Sequence, residues 1–404
     1  MTTFSTVSEE DVEKIRKATD NSCSLDPIPT KILKQHLLTL LPVITRMINA
    51  SLNKAIMSSV FTQARPTLIL KKSSLDKDSL RNYRHISNLA FVSKMIGRLV
   101  DLQNNNLNEV MQAAYRQHHS TESAWVCLHN DILTAIDNNM AVLLVCLGLS
   151  AAFDTVDHDI LLQRLEHRLD ITGKCLQWLS TYLKDRTFRV HVNGQMSNNH
   201  NLDYGVPQGS VLGPKLFTLY MLPLSDIARR HNVNFHVYAD DCQLYISFKK
   251  ENMLITASMM ERLVKDIKNW MTSNMLKLNG DKSDIMVLND PRRPRIELPH
   301  ITICDESVSK SDSTTLLGVE VDSTLSLKNL VKNTTKCCFY KLHKLFKIRR
   351  FLSEDAAKTM VHTLITSKLD YCNSILNGLP NTTLEFLVRV QKAAARLISN
   401  KAQL

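Results

Sequence analysis

Glycine is scarce in this sequence, ten residues in 404, alongside eleven prolines and 6% aromatic residues. Neither an internal repeat nor a low-complexity tract occurs, so repeat and fibrous architectures are excluded. No CxxC pair and no His/Cys ligand spacing is present. The nine cysteines lie far apart except Cys337 and Cys338, which reads as reduced, buried thiols of an intracellular protein. The longest apolar stretch, Ala141 to Phe153, falls short of the ~20 residues a helix needs to cross a bilayer. No basic-then-apolar leader opens the chain, since Met1–Asp20 reads as a charged amphipathic helix. What is present suffices for a core. With 44% apolar and 22% charged residues, disorder is excluded, and the length suits two or three domain-sized units.

Negative charge is missing from one region. Residues 1–322 hold 36 basic and 35 acidic side chains, whereas residues 323–404 hold 14 basic and 4 acidic. Nearly all of the formal +11 therefore lies in the last fifth of the chain. That asymmetry describes a near-neutral body with a basic arm made for a polyanion; a merely solubilising surface would not need it. Eight basic residues fall between Lys328 and Arg350 with no acid among them. Lys328, Lys332 and Lys336 recur at i, i+4 and are followed by Lys341 and Lys344, while Val331, Cys338, Leu342 and Leu345 form an apolar stripe. Like charges at that spacing weaken an isolated helix, so a polyanionic partner is the economical account, with affinity falling steeply in salt.

Periodicity divides the rest. Ser8 and Asp11 form a capping box ahead of a helix. Asp26 to Pro29 is a turn, and helical spacing runs over Ile32–Ile56, Ser93–Gln112 and Ser120–Asn138. Thr67 to Leu70 is a short strand ending in Lys71 and Lys72. Val142–Leu149 is a continuous apolar run, as in a strand buried on both faces. Helical spacing returns over Asp159–Leu183, and Phe188–Val192 meets an Asn193-Gly194 hairpin turn. A helix begins at Pro214, a strand–turn–strand spans Phe235–Ile246, and Met253–Asn274 is a long amphipathic helix. Strands near Ile285–Leu288 and Leu316–Val321 follow, across a connector from Asp290 to His300. From Leu325 the pattern is helical.

Three constellations carry chemistry. In Phe235–Tyr245, alternating apolar residues flank Tyr238-Ala239-Asp240-Asp241, which sets two carboxylates at a hairpin tip. Adjacent carboxylates repel unless a cation sits beside them, and Mg²⁺ suits such a pair; a solvated Asp-Asp turn is the bland alternative. In Tyr204–Pro214 three of the ten glycines fall at 205, 209 and 213 just before a helix start. This marks either backbone that approaches an anionic ligand closely or an ordinary glycine-rich connector. The third, Leu149–His158, follows the buried strand.

Together these blocks resemble the palm of a reverse transcriptase of the non-LTR, LINE-type retrotransposons. Arg81-Asn-Tyr-Arg-His-Ile-Ser-Asn88 is similar to that family's fingers motif, and Ala114-Tyr-Arg-Gln-His-His-Ser-Thr-Glu122 to its template-side block. Tyr204–Pro214 resembles the third palm block and Tyr238-Ala-Asp-Asp241 the catalytic hairpin. Leu276–Lys282 and Leu317-Gly318 resemble the next two. Leu369–Asn373 with Val390–Arg396 resembles the thumb and connection of the L2/CR1-like branch.

The resemblance implies an α+β right-hand polymerase, with helical fingers, an antiparallel-sheet palm and a helical thumb. It divides the chain into an N-terminal extension and fingers (1–135), a palm with part of the fingers (136–322) and a truncated basic helical thumb and connection (323–404). The implied reaction is RNA-templated DNA synthesis from deoxynucleoside triphosphates on a DNA primer, by two Mg²⁺ ions (Mn²⁺ as the substitute) ~3.5–4 Å apart. Asp240 would bind metal with Asp241 in support. Phe153 would reject a ribose 2′-hydroxyl, Gln208 and Gly209 would lie under the incoming nucleotide, and the backbone of Ala151 and Ala152 would meet its triphosphate. Arg84 with Lys71 or Lys72 would neutralise phosphates, and Lys282 is a candidate general acid; outside the motifs each base reads as a solvated surface charge. Lys328, Lys332, Lys336, Lys341 and Lys344 would follow template–primer phosphates.

One departure dominates. Five residues before Phe153 the family has a metal-bridging aspartate, and here stands Gly148. Asp154 lies six residues on, ~20 Å along an extended chain, so replacement from there is not expected. The loss should cost several kcal/mol of transition-state stabilisation, on the order of thousands-fold in rate. His85 and Ala90 stand where the family usually has proline, which would loosen the fingers turn. The upstream endonuclease is lacking, and the chain stops at Leu404 where relatives continue, as in a decayed or partial copy. The expected function is thus a retrotransposon reverse transcriptase domain with impaired polymerase activity. The competing expectation is a non-catalytic protein gripping RNA or RNA–DNA hybrid. Nuclear and cytoplasmic residence stay open, since Pro291–Arg295 reads equally as targeting signal or connector.

Overall fold

The computed structural model describes residues 1–14, 23, 25–72, 74–100, 107, 109–192, 195–294, 296, 301–303, 306–308 and 311–399. They gather into two compact units, each assembled from separate stretches of chain. Residues 1–110, 149–226 and 267–277 form one, and residues 111–148, 227–266 and 278–404 form the other. Both mix helices with sheet, the α+β class the sequence implied. No described helix is long and apolar enough to cross a membrane.

In the first unit the capping box forms: Asp11 N–H donates to Ser8 Oγ at 3.2 Å and Ser8 N–H to Asp11 Oδ2 at 3.1 Å, opening the helix Glu9–Lys14. The Ile32–Ile56 pattern becomes two helices, Thr30–Gln35 and Leu37–Lys54, broken at His36. Strand Gln63–Leu70 is longer than expected and pairs antiparallel with Tyr83–Asn88, Leu68 opposite His85. Of the helix expected over Ser93–Gln112, Phe91–Leu99 is helical, and residues 101–106 and 108 lie outside the described residues. Helices His158–His167 and Gly173–Leu183 follow, the second burying Trp178 and Tyr182. The Asn193-Gly194 turn lies outside the described residues, but His191–Val192 and Gln195–Met196 on either side pair antiparallel. The helix expected to begin at Pro214 begins at Leu212. Pro214 sits in its first turn, where a missing N–H costs nothing.

The second unit is built on a four-stranded sheet in the order Lys277–Leu288, Ala141–Ser150, Asp241–Phe248, Asn234–Tyr238. Residues Ala141 to Leu149 are buried without exception, as the continuous apolar run requires. Trp125, Leu128 and Ile132 of helix Thr121–Asp137 pack with Val142, Leu144, Met286 and Leu288. The Trp125 indole N–H donates to the Leu316 carbonyl at 3.1 Å. Leu316–Val321, read as one strand, is a hairpin of Ser313–Leu316 and Val319–Asp322. It bends at Leu317-Gly318, where Gly318 has φ +78°. Helices Lys328–Ile348, Glu354–Val361 and Asn381–Ile398 close the unit around Cys338, Leu342, Leu345, Val361, Val390 and Leu397. The expected stripe Val331, Cys338, Leu342, Leu345 is buried throughout.

Candidate active site

The acidic hairpin of the second unit is tighter than its sequence shows. Tyr238 and Asp241 are the last cross-strand pair, leaving Ala239-Asp240 as the turn. Asp240 thus sits in the turn, and Asp241 starts the next strand. Ala239 takes a left-handed φ of +58°, a conformation that costs an L-residue roughly 1–2 kcal/mol. A buried side chain holds it there. The Gln112 amide accepts the Ala239 N–H at 3.0 Å and donates to the Ala239 carbonyl at 3.4 Å. Gln112 is itself fixed by Ala114 N–H at 2.9 Å. It also forms a parallel bridge with Val237, so Gln112 itself is not helical. Sequence reading passed over Gln112, though a lone amide among small and apolar residues just before the Ala114–Glu122 block was the available signal.

Electrostatics around the tip involve three neighbours. The Asp241 carboxyl is pushed up by partial desolvation and by the charge of Asp240, and Lys282 pulls it the other way. The Tyr115 phenol, a second residue absent from the sequence-derived site, is raised by desolvation and by Asp240. Leu147 pairs with Cys242, so the next step of the antiparallel register sets Gly148 across from Asp241. A Cβ at Gly148 would lie 2.6 Å from Lys282 Cβ, 3.0 Å from the Lys282 carbonyl oxygen and 3.4 Å from Lys282 Cδ. Asp240, Asp241, Lys282 and Gly148 are therefore brought together in this unit.

Phe153, Gln208 and their neighbours are brought together in the first unit. Ala151, at φ +48°, leads into a turn over Ala152–Asp154. Phe153 stacks on Phe217 of the Leu212–Tyr220 helix, centroids 4.6 Å apart. Asp154 Oδ1 pairs with His85 Nε2 at 3.0 Å and accepts from the Gln208 amide at 3.4 Å. Burial would lower the His85 ring, but its hydrogen bond to Asp154 is the larger effect and raises it. Strand alternation turns Arg84 to the face opposite His85, and Arg84, Lys71 and Lys72 are exposed.

The glycine-rich segment also has a physical reason within the chain itself. A Cβ on Gly205, at φ +86°, would meet Asp154 Cα and the Phe153 carbonyl at 2.9 Å; on Gly209, at φ +99°, the Ser87 carbonyl at 2.9 Å. Val206 N–H donates to the Phe153 carbonyl at 2.8 Å, and Ser87 N–H to the Gln208 carbonyl at 2.7 Å. Just before the helix the Ser210 hydroxyl accepts Gly213 N–H at 2.9 Å. These glycines let the loop press on the chain's own backbone.

The basic helix sorts its candidates. Lys328, Lys332, Lys336 and Lys344 are exposed. Lys341 is not on that face: it is half-buried and donates to the Leu364 carbonyl at 3.4 Å. Arg349 donates to the Leu397, Ile398 and Leu352 carbonyls at 2.7, 2.9 and 2.8 Å.

Comparison with known proteins agrees with the motifs. Residues 69–321 match the family "Reverse transcriptase (RNA-dependent DNA polymerase)". A probable RNA-directed DNA polymerase from transposon BS of Drosophila melanogaster is 29% identical over 69% of this chain and 31% of its own length. That from mobile element jockey of Drosophila funebris is 25% identical over 86% of this chain and 39% of its own. The chain thus spans about a third of the length of these relatives. Among solved structures, apo telomerase from Candida tropicalis is similar at TM-score 0.43 and 13% identity, over 67% of this chain and 55% of that one. The chain belongs to the reverse transcriptase family, as a domain of the LINE-type retrotransposon kind its motifs resemble.

Proposed function

We propose that this chain is the polymerase body of a retrotransposon RNA-directed DNA polymerase that holds RNA template, DNA primer and deoxynucleoside triphosphate but is impaired in nucleotidyl transfer. Fingers would take residues 1–135 with a further part inside 136–322, palm the rest of 136–322, and thumb and connection 323–404. Lys71, Lys72 and Arg84 would neutralise triphosphate charge, the backbone of Ala151 and Ala152 would meet the triphosphate, Phe153 would exclude a 2′-hydroxyl, and Gln208 and Gly209 would underlie the nucleotide. Lys328, Lys332, Lys336 and Lys344 would follow duplex phosphates. Lys341, tied to Leu364, would contribute little.

Asp240 and Asp241 suit one hard divalent cation, Mg²⁺ or Mn²⁺, which needs only one or two carboxylates beside water and phosphate oxygens. Bound there, such an ion would stabilise charge on phosphate oxygens. A carboxylate-bridged pair of ions does not fit. Gly148 has no side-chain oxygen, Asp154 is engaged by His85 and Gln208, and among the described residues no three His, Cys, Asp or Glu side chains are grouped to hold an ion.

The observation that carries the reading is Gly148 across from Asp241, beneath the Lys282 stem. Primer extension on an RNA template with Mg²⁺ or Mn²⁺ tests it, with Asp240→Asn alongside. The parent should stay at the level of Asp240→Asn while still retaining RNA–DNA hybrid. Extension by the parent that Asp240→Asn abolishes would sink the impairment. Failure of both proteins to retain hybrid would sink the grip, which the alternative reading of a non-catalytic hybrid-binding protein shares.

A further inference from the structure

We propose that position 148 has lost the room for a metal-binding carboxylate as well as the carboxylate itself, because the stem of Lys282 fills that space. The ligand class at stake is a divalent cation held by oxygen donors. The inference deepens the reading of the Asp240–Asp241 tip as a polymerase site, but its packing claim stands apart from that reading.

The argument is steric. Side chains directly across from one another in adjacent strands ordinarily keep their Cβ atoms ~4.5–5.5 Å apart. A Cβ at Gly148 would lie only 2.6 Å from Lys282 Cβ on the neighbouring strand, with Lys282 Cδ at 3.4 Å. The obstructing atom is a Cβ, fixed by its own backbone, so a rotamer change cannot clear it. The Lys282 carbonyl, at 3.0 Å, closes the same space from the main chain. Gly148 also lies inside a fully buried run that ends at Leu149, and Leu147 is locked to Cys242, so the central strand cannot recoil freely. Close packing of this kind makes small additions costly. Any side chain at 148, acidic or not, must displace the Lys277–Leu288 strand.

Two consequences separate this from a plain missing ligand. Alanine at 148 should harm the fold although it adds no charge, and harm at 148 should be relieved by removing the Lys282 side chain. Relief should be partial, since the carbonyl at 3.0 Å remains.

The experiment is a double-mutant cycle on the full chain. Gly148→Ala and Gly148→Asp should each lower Tm by about 3–10 °C, the range expected for an overpacked site in a unit of this size. Gly148→Ala/Lys282→Gly should recover at least half of the loss that addition of the single effects predicts. Mn²⁺ titration, followed by the electron paramagnetic resonance signal of free ion, is the second readout. Gly148→Asp/Lys282→Gly should bind Mn²⁺ at least tenfold tighter than the parent, and Gly148→Asp alone should show less than that gain. A Gly148→Ala protein as stable as the parent, or strictly additive single effects, would overturn the inference. So would tenfold tighter Mn²⁺ binding by Gly148→Asp alone. Primer extension by the parent would overturn the proposed impairment while leaving the packing cycle untouched, so the two failures are distinguishable.

Discussion

The side-chain amide of Gln112 grips the backbone of Ala239 from both sides, taking its N–H at 3.0 Å and giving to its carbonyl at 3.4 Å. This clamp holds a left-handed alanine beside Asp240. Gln112→Leu keeps the volume but strands buried backbone groups, which costs about 1–3 kcal/mol. Chemical denaturation should show that loss, and an unchanged midpoint would mean the turn holds itself.

A second prediction concerns pH. His85 titrates higher in the folded chain than its ordinary value of 6.5 because it hydrogen-bonds Asp154. A raised folded value stabilises below the unfolded value and ceases to do so as pH rises through the folded one. The advantage of the parent over His85→Asn should therefore be full just below pH 6.5 and should shrink above it. Urea midpoints of the two proteins from pH 5.5 to 8.5 measure this. A constant difference would contradict the pairing.

Arg349 makes three hydrogen bonds to carbonyls, two of them at the end of helix Asn381–Ile398. Arg349→Met should cost about 2–3 kcal/mol in thermal unfolding. Arg349→Lys should recover less than half of it, since an ammonium lacks the planar fork.

Buried Arg186 points the other way. Its Nη1 reaches the Tyr182 carbonyl at 2.8 Å, yet Nε and Nη2 have no hydrogen-bond partner among the described residues. Burying such a charge is costly, and burial pushes this guanidinium below its ordinary value. Arg186→Met should raise Tm by a few degrees; a drop would show that the guanidinium is better satisfied than its contacts indicate.

For nucleic acid, the slope of log affinity against log salt is the measurement. Replacing Lys332, Lys336 or Lys344 by Gln should each reduce the slope by about 1, whereas Lys341→Gln should leave it unchanged. Equal effects at all four would mean that burial of Lys341 does not remove it from the interface.

Much of this was legible in the residues because local rules decided it. The capping box at Ser8, the helix over Ser120–Asn138, the buried strand at 142–149 and the acidic hairpin all follow from spacing alone. What escaped depends on contacts between distant segments. Gln112 is extended because Val237 pairs with it, and the glycines at 205 and 209 let the loop lie close on Asp154 and Ser87, which are distant in sequence. The assembly of each unit from three stretches is likewise invisible to a window moving along the chain.

The contact between Gly148 and Lys282 also has a bearing on history. A single codon change can turn an aspartate into glycine, and a single change can turn it back. Once the neighbouring strand has settled over the gap, the reverse change meets a folding penalty before any chemistry can reward it. On the proposed reading, packing of this sort would work as a ratchet: loss of a carboxylate at 148 would be easy to enter and hard to leave, without any further change to Asp240 or Asp241.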